Sequence, residues 1–207
     1  MEIPGWSLAA NQIREVLQQN PEVTEKASEL ASIYANRRGT MVVDVVASRQ
    51  RNYEKRVALR LIPLYESKAK DSSLRTLAAH APTWMPLRDG EANTMSEVAK
   101  QLLKYGQILE ITDENEICNK WSSDTDAIVE MLSIKGIGPA LLQYLRMLSG
   151  ANTIKIDLRV IRGLGLLGLP VGWFTADGLL ELCRELSEEV GCTLLELDQV
   201  LFQVIGA

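Results

Sequence analysis

Ile134-Lys135-Gly136-Ile137-Gly138-Pro139 is the stretch on which the fold turns. An amphipathic run (Ile128, Met131, Leu132) precedes it and a second, Ala140–Leu148, follows. The direct reading is two helices joined by a tight glycine turn. Glycine tolerates the positive φ such a turn needs, and with no side chain it lets another group come close to the backbone. Pro139 suits the first position of the second helix, because the N–H it lacks is unpaired there anyway. The N–H groups of that first turn make a positively polarised end, which favours an anion. Ile137 is expected to plug the turn into the core, and Lys135 adds a cation beside it.

Outward from the turn, the pattern stays helical. Ser7 is expected to cap a helix over about Leu8–Gln19, and Asn20-Pro21 to open another toward Asn36. Met41–Ser48 is rich in valine and has strand propensity, yet no second strand exists to pair with it, so a short buried helix is expected. Tyr53–Tyr65 and Ser73–Ala81 read as further helices. Thr94–Glu97, Ser123–Asp126 and Thr193–Glu196 each have the spacing of a capping box. A further helix start falls near Asp157, where an aspartate is a common cap.

The 207 residues suffice for one large domain or two lobes sharing a core. The net charge of −5 argues against a polyanionic partner only until its placement is examined. Arg37–Arg60 carries +5 and Met131–Pro170 +4, whereas Ile108–Glu130 and Val171–Ala207 each carry −6. A polyanion responds to the local field, so the two basic segments can build a phosphate-binding face if the fold joins them. No apolar run reaches the length of a membrane span. The opening Met1-Glu2-Ile3-Pro4-Gly5 has no signal-peptide pattern, and the cytoplasm is the expected compartment. Cys118, Cys183 and Cys192 are too few, and too irregularly spaced, for an iron–sulfur cluster or a cysteine zinc site, so inert thiols are expected.

Four pieces, in order, resemble the helix-hairpin-helix DNA glycosylases, the superfamily of endonuclease III and the alkyladenine and adenine glycosylases. The hairpin Ile134–Pro139 resembles the family's Leu-Pro-Gly-Val-Gly string. Ile156-Asp157-Leu158-Arg159-Val160-Ile161-Arg162 resembles the segment carrying the family's catalytic aspartate, and lies at about the family's distance from the hairpin. Ala47-Ser48-Arg49-Gln50-Arg51-Asn52 resembles a stretch whose glutamine, in several members, fills the space of a flipped nucleotide. Leu197–Phe202 resembles the closing helix. The resemblance implies an all-α fold of two helical lobes, residues 40–150 ending in the hairpin, and residues 1–39 with 151–207. It implies double-stranded DNA in the cleft, with Lys135, Gly136, Gly138, Arg49, Gln50 and Arg51 as DNA-binding residues and Asp157 as the catalytic residue. Gln50 reads equally well as a polar residue ending a helix.

The departures have chemical meaning. Bifunctional members keep a lysine where this chain has Ala140, so hydrolysis without lysine-dependent strand cleavage is expected. Lys135 replaces the family proline, and Leu142 stands where a small residue is usual. No metal or cofactor is expected, although some hairpins of the family hold a monovalent cation on their carbonyls. The expected function is a base-excision DNA repair hydrolase that cleaves the N-glycosidic bond of a flipped damaged or mismatched base. Two alternatives stay open: a non-catalytic DNA-binding relative, and a helical protein-interaction module. Nothing in the sequence fixes the oligomeric state, the substrate base or its pocket; Trp84, Trp121, Tyr105 and Tyr144 are aromatic candidates for pocket walls.

Overall fold

The computed structural model describes residues 3–205, with backbone only at 203 and 204. Met1 and Glu2, part of the opening read for a signal peptide, lie outside the described residues. Among the described residues there is no strand. The chain divides into two units, Met1–Leu30 with Asn152–Ala207, and Ala31–Ala151. The first boundary falls earlier than expected because residues 31–39 pack with the second unit. Tyr34 bonds Asp44, and the buried Arg38 donates to the carbonyls of Leu148 and Ala31.

The first unit begins with α1 (Trp6–Gln19) and α2 (Pro21–Glu29). Ser7 lies inside α1; the cap is Gly5, whose positive φ no other residue adopts cheaply. Asn20 and Pro21 do open α2, but that helix ends at Glu29 and turns carry the chain to Asn36.

The second unit is arranged around α3 (Arg38–Ala47), all ten residues of which are buried. Its valines prefer strand in isolation, but apolar residues on every face suit a helix enclosed by other helices. Gly39 is required there: a Cβ would lie 2.3 Å from the Ser73 carbonyl oxygen. A π-helix (Tyr53–Leu61) follows, then α4 (Ile62–Lys68), α5 (Leu74–Ala79), α6 (Glu91–Ile108), α7 (Glu114–Trp121), α8 (Thr125–Met131) and α9 (Pro139–Ser149). Helices α4, α5, α6, α7 and α9 all pack on α3. Two expected capping boxes differ. Thr94 lies within α6, and α8 is capped by Asp124, which accepts the Ala127 N–H, not by Ser123. Thr94 bonds elsewhere, as described below.

After a strap of residues 152–156 the chain returns to the first unit with α10 (Leu158–Leu166), α11 (Ala176–Val190), α12 (Leu194–Gln199) and a final π-turn (Val200–Ile205). Ala9, Ile13, Ile154, Leu164, Leu186 and Leu197 are among its core residues. Here the third capping box is present in full: Thr193 accepts the Glu196 N–H, and the Glu196 carboxylate accepts the Thr193 N–H. No helix among the described residues is long and apolar enough to cross a membrane.

Candidate functional site

In the second unit, the hairpin is a tight turn closed by a hydrogen bond from the Ile137 amide to the Ile134 carbonyl, 3.0 Å. Gly136 occupies its third position at φ 101, where a side chain would be strained. The space is closed as well, since a Cβ on Gly136 would lie 2.9 Å from Thr94 Oγ1. Thr94 is the buttress of the turn: its hydroxyl donates to the Lys135 carbonyl at 2.8 Å. Ile137 is buried, as its place between the glycines leads one to expect, and the Lys135 side chain is exposed. Gly138 caps α9 in an extended conformation, φ −107 and ψ 176, without a side-chain hydrogen bond. A Cβ there would meet nothing within 4 Å, so nothing within the protein demands glycine at that position.

The sequence-distant Arg49 reaches the same place. Its Nη1 lies 3.5 Å from where a Gly136 Cβ would be, so the fold brings Arg49, Lys135 and Gly136 together. Gln50 follows on an exposed turn with φ 52, a left-handed conformation uncommon for a residue with a side chain. Arg88, which no sequence signal marked, supports that turn by donating to the Gln50 carbonyl (2.9 Å) and to Gln50 Oε1 (3.3 Å). A shallow groove lined by Lys100, Gln101, Lys104 and Ser133 runs into Lys135, with Glu97 pairing Lys100.

Arg51 departs from its expected place. Its guanidinium holds Glu91 through two hydrogen bonds, 2.8 and 2.6 Å, in a buried pair, and also donates to the Ala47 carbonyl. Glu91 in turn accepts the Arg88 N–H. Arg51 thus fixes the loop that displays Arg49 and Gln50, with both of its terminal nitrogens bonded to acceptors within the protein.

Behind the hairpin helix lies a cluster that sequence reasoning missed. The hydroxyls of Tyr34, Tyr53 and Tyr144 donate to Asp44 Oδ2 at 2.8, 3.1 and 2.9 Å. They tie the turns of residues 30–36, the π-helix and α9 to one buried carboxylate on α3. Burial, and then the Asp44 charge, raise the Tyr34, Tyr53 and Tyr144 hydroxyls above their usual range, Tyr53 to about 12. Among the other aromatics, Trp121 is wholly buried, Tyr105 bonds Asp124, and Trp84 is 44% exposed with its ring stacked over Tyr65.

In the first unit, Asp157 caps α10. Its Oδ1 accepts the Arg159 and Val160 amides at 2.9 and 3.2 Å. Its Oδ2 lies 3.5 Å from the Lys155 ammonium, and its side chain is 24% exposed. The carboxylate is therefore oriented, charge-paired and open to solvent on one side. Two residues hold the strap that presents it. Asn152 Oδ1 accepts the Leu194 amide at the start of α12 (2.9 Å), and the buried Asp198 accepts the Lys155 amide (3.1 Å). Cys118 and Cys183 are buried and Cys192 is half-buried; burial lifts their thiols to about 12, 12 and 11. Thiols held this high carry little thiolate at neutral pH. No family model, curated protein or solved structure matches the chain.

Proposed function

We propose that this chain is a monofunctional DNA N-glycosylase, binding duplex DNA through the hairpin and hydrolysing the N-glycosidic bond of an extruded base with Asp157. The observation that carries the reading is the meeting of Arg49 with Gly136 at the hairpin. Two motifs some ninety residues apart, each read from sequence as DNA-contacting, form one basic patch beside an exposed Lys135. The lysines of the adjoining groove extend that patch. Gln50, held on an exposed and strained turn, has the form of a side chain displayed toward a partner.

The chemistry asked of Asp157 is modest. Breaking the bond between base and sugar leaves positive charge on the sugar, which a fixed carboxylate stabilises while water adds to the anomeric carbon and the base departs with a proton. Capping by Oδ1 prevents rotation of the group, and Oδ2 remains beside Lys155. Ala140 offers no amine at the hairpin, so the product is an abasic site in an intact strand.

A second reading, a DNA-binding protein of the same architecture without catalysis, is favoured by one observation. Both Asp157 oxygens already have intramolecular partners. The test has two stages. Lys135→Glu is expected to weaken binding to every duplex alike and to flatten the salt dependence by about one counterion, since phosphate contacts carry no sequence information. A panel of lesion-bearing duplexes is then assayed for free base. Unchanged binding in Lys135→Glu rejects the hairpin as the contact, and binding without base release on any lesion selects the second reading.

A further inference from the structure

Asp198 is a buried acid with no counterpart in the hydrolytic step as written above. It lies near the end of α12, 6% exposed, among Leu194, Leu197, Val200 and Leu201 of the core. An acid there is costly unless its oxygens are used. Oδ1 accepts the Lys155 main-chain amide at 3.1 Å, and Oδ2 accepts from the Gln199 side chain at 3.3 Å. Lys155 links the two acids, since its amide is held by Asp198 and its ammonium lies 3.5 Å from Asp157 Oδ2. The Asp157 amide, in turn, donates to the Lys155 carbonyl at 2.8 Å.

We propose that Asp198 is the positioning residue of Asp157: through Lys155 it fixes the strap that presents the catalytic carboxylate, and the three groups act as one charge-coupled unit. The reading rests on the proposed glycosylase activity only for its effect on rate. Burial, with the Asp157 charge adding to it, pushes the Asp198 carboxyl up to about 7 against the Lys155 amide, the Lys155 ammonium and Gln199, which hold it down. Cys183 on α11 is the other titratable group under its influence, and its thiol stays neutral near pH 7. From α2, Thr24 bonds Glu196, which is turned to its own capping box. Arg159 is turned to the Phe202 ring, 4.4 Å from its centre. Around neutrality Asp198 therefore changes charge, and the field at Asp157 changes with it. Ionised, it adds a second negative charge where the sugar becomes positive, which accelerates the step.

The sign for folding is the reverse. A carboxyl whose pKa is raised in the folded protein binds its proton more tightly there than in the unfolded chain, so stability falls as pH rises from about 4 to about 7 and then levels. Asp198→Asn keeps an oxygen acceptor for the Lys155 amide and removes the titration. Carboxyl-carbon NMR of the full chain, with Asp198→Asn as the assignment, is expected to show one aspartate titrating near pH 7 that moves to lower pH in Asp157→Asn. The melting temperature of Asp198→Asn is expected to lose the decline between pH 4 and 7, whereas Asp198→Ala melts lower at every pH because the strap loses its anchor. On a cleaved lesion, the wild-type single-turnover rate is expected to rise through pH 7; Asp198→Asn lacks that rise and is about tenfold slower at pH 8, the order of one charge acting across a half-buried site. An Asp198 midpoint in the ordinary carboxylate range, or one indifferent to Asp157→Asn, overturns the proposal even in an active enzyme. So does a pH–rate profile unaltered in Asp198→Asn. If no lesion is cleaved, the glycosylase reading fails alone, and the NMR and melting measurements still decide the coupling.

Discussion

The hairpin and the strap both carry sequence signals, yet their polar groups are used in opposite ways. At the hairpin Gly136 is required by the turn itself, but Lys135 and Gly138 have no internal reason. Lys135 is exposed, and Gly138 borders open space that a side chain would fit without contact. In the strap every decisive feature has one. Asp157 caps α10, Asn152 accepts the first amide of α12, and Asp198 holds Lys155. A group that the fold does not need argues for a partner by elimination. A group that the fold does use needs a chemical experiment, because its structural role already explains its presence.

The largest effect that sharpens the contrast is at Asp157. Asparagine caps a helix about as well as aspartate. Asp157→Asn is therefore expected to leave the melting temperature nearly unchanged while slowing base release by about 10²-fold or more, the scale of a positioned carboxylate. Lesion binding should persist, since the lost charge matters most in the transition state. Full activity in this variant would leave Asp157 as a cap alone, and the strap would be wholly structural.

Next in size is the division between Arg49 and Arg51, two residues apart in sequence. Arg51→Met leaves the buried Glu91 carboxylate without its cation, a loss of about 3–5 kcal/mol measured by denaturant unfolding. Arg49→Met touches only the exposed patch, so stability should hold and duplex affinity should fall several-fold. If the two variants behaved alike, Arg49 would be as structural as its neighbour.

That division shows what sequence alone can and cannot carry. The helical class was legible because apolar spacing, prolines and glycines agree along the chain. The hairpin was legible in detail down to the buried Ile137, since a turn is a local object whose residues determine their own conformation. The cap at Asp157 was legible for the same reason. Arg51 was not: its sequence context matches that of Arg49, and only the arrival of Glu91 from forty residues away separates them. Thr94 had the pattern of a cap, but α6 begins earlier, at Glu91, and frees its hydroxyl to buttress the hairpin. The tyrosines on Asp44, and Asp198 beneath Lys155, are assembled from distant segments and leave no mark in any one of them.

The smallest expected effect is the most diagnostic, because its two parts have opposite signs. Gly138 caps α9 with the extended backbone that a serine cap also adopts, and no atom lies in the way of a side chain. Gly138→Ser should therefore stabilise the protein by a few tenths of a kcal/mol, the usual difference between those caps. The same Cβ and hydroxyl occupy the space through which a phosphate would approach the start of α9, so duplex affinity should fall several-fold. Gly136→Ser, at φ 101 and against Thr94, is the control: it should lower both stability and binding, because the turn itself is strained. Thermal melting and fluorescence anisotropy on the two variants decide the matter. A Gly138→Ser protein that is stabilised and binds DNA undiminished would show that the open space at the hairpin faces no phosphate, and the argument from unneeded glycine would fail there.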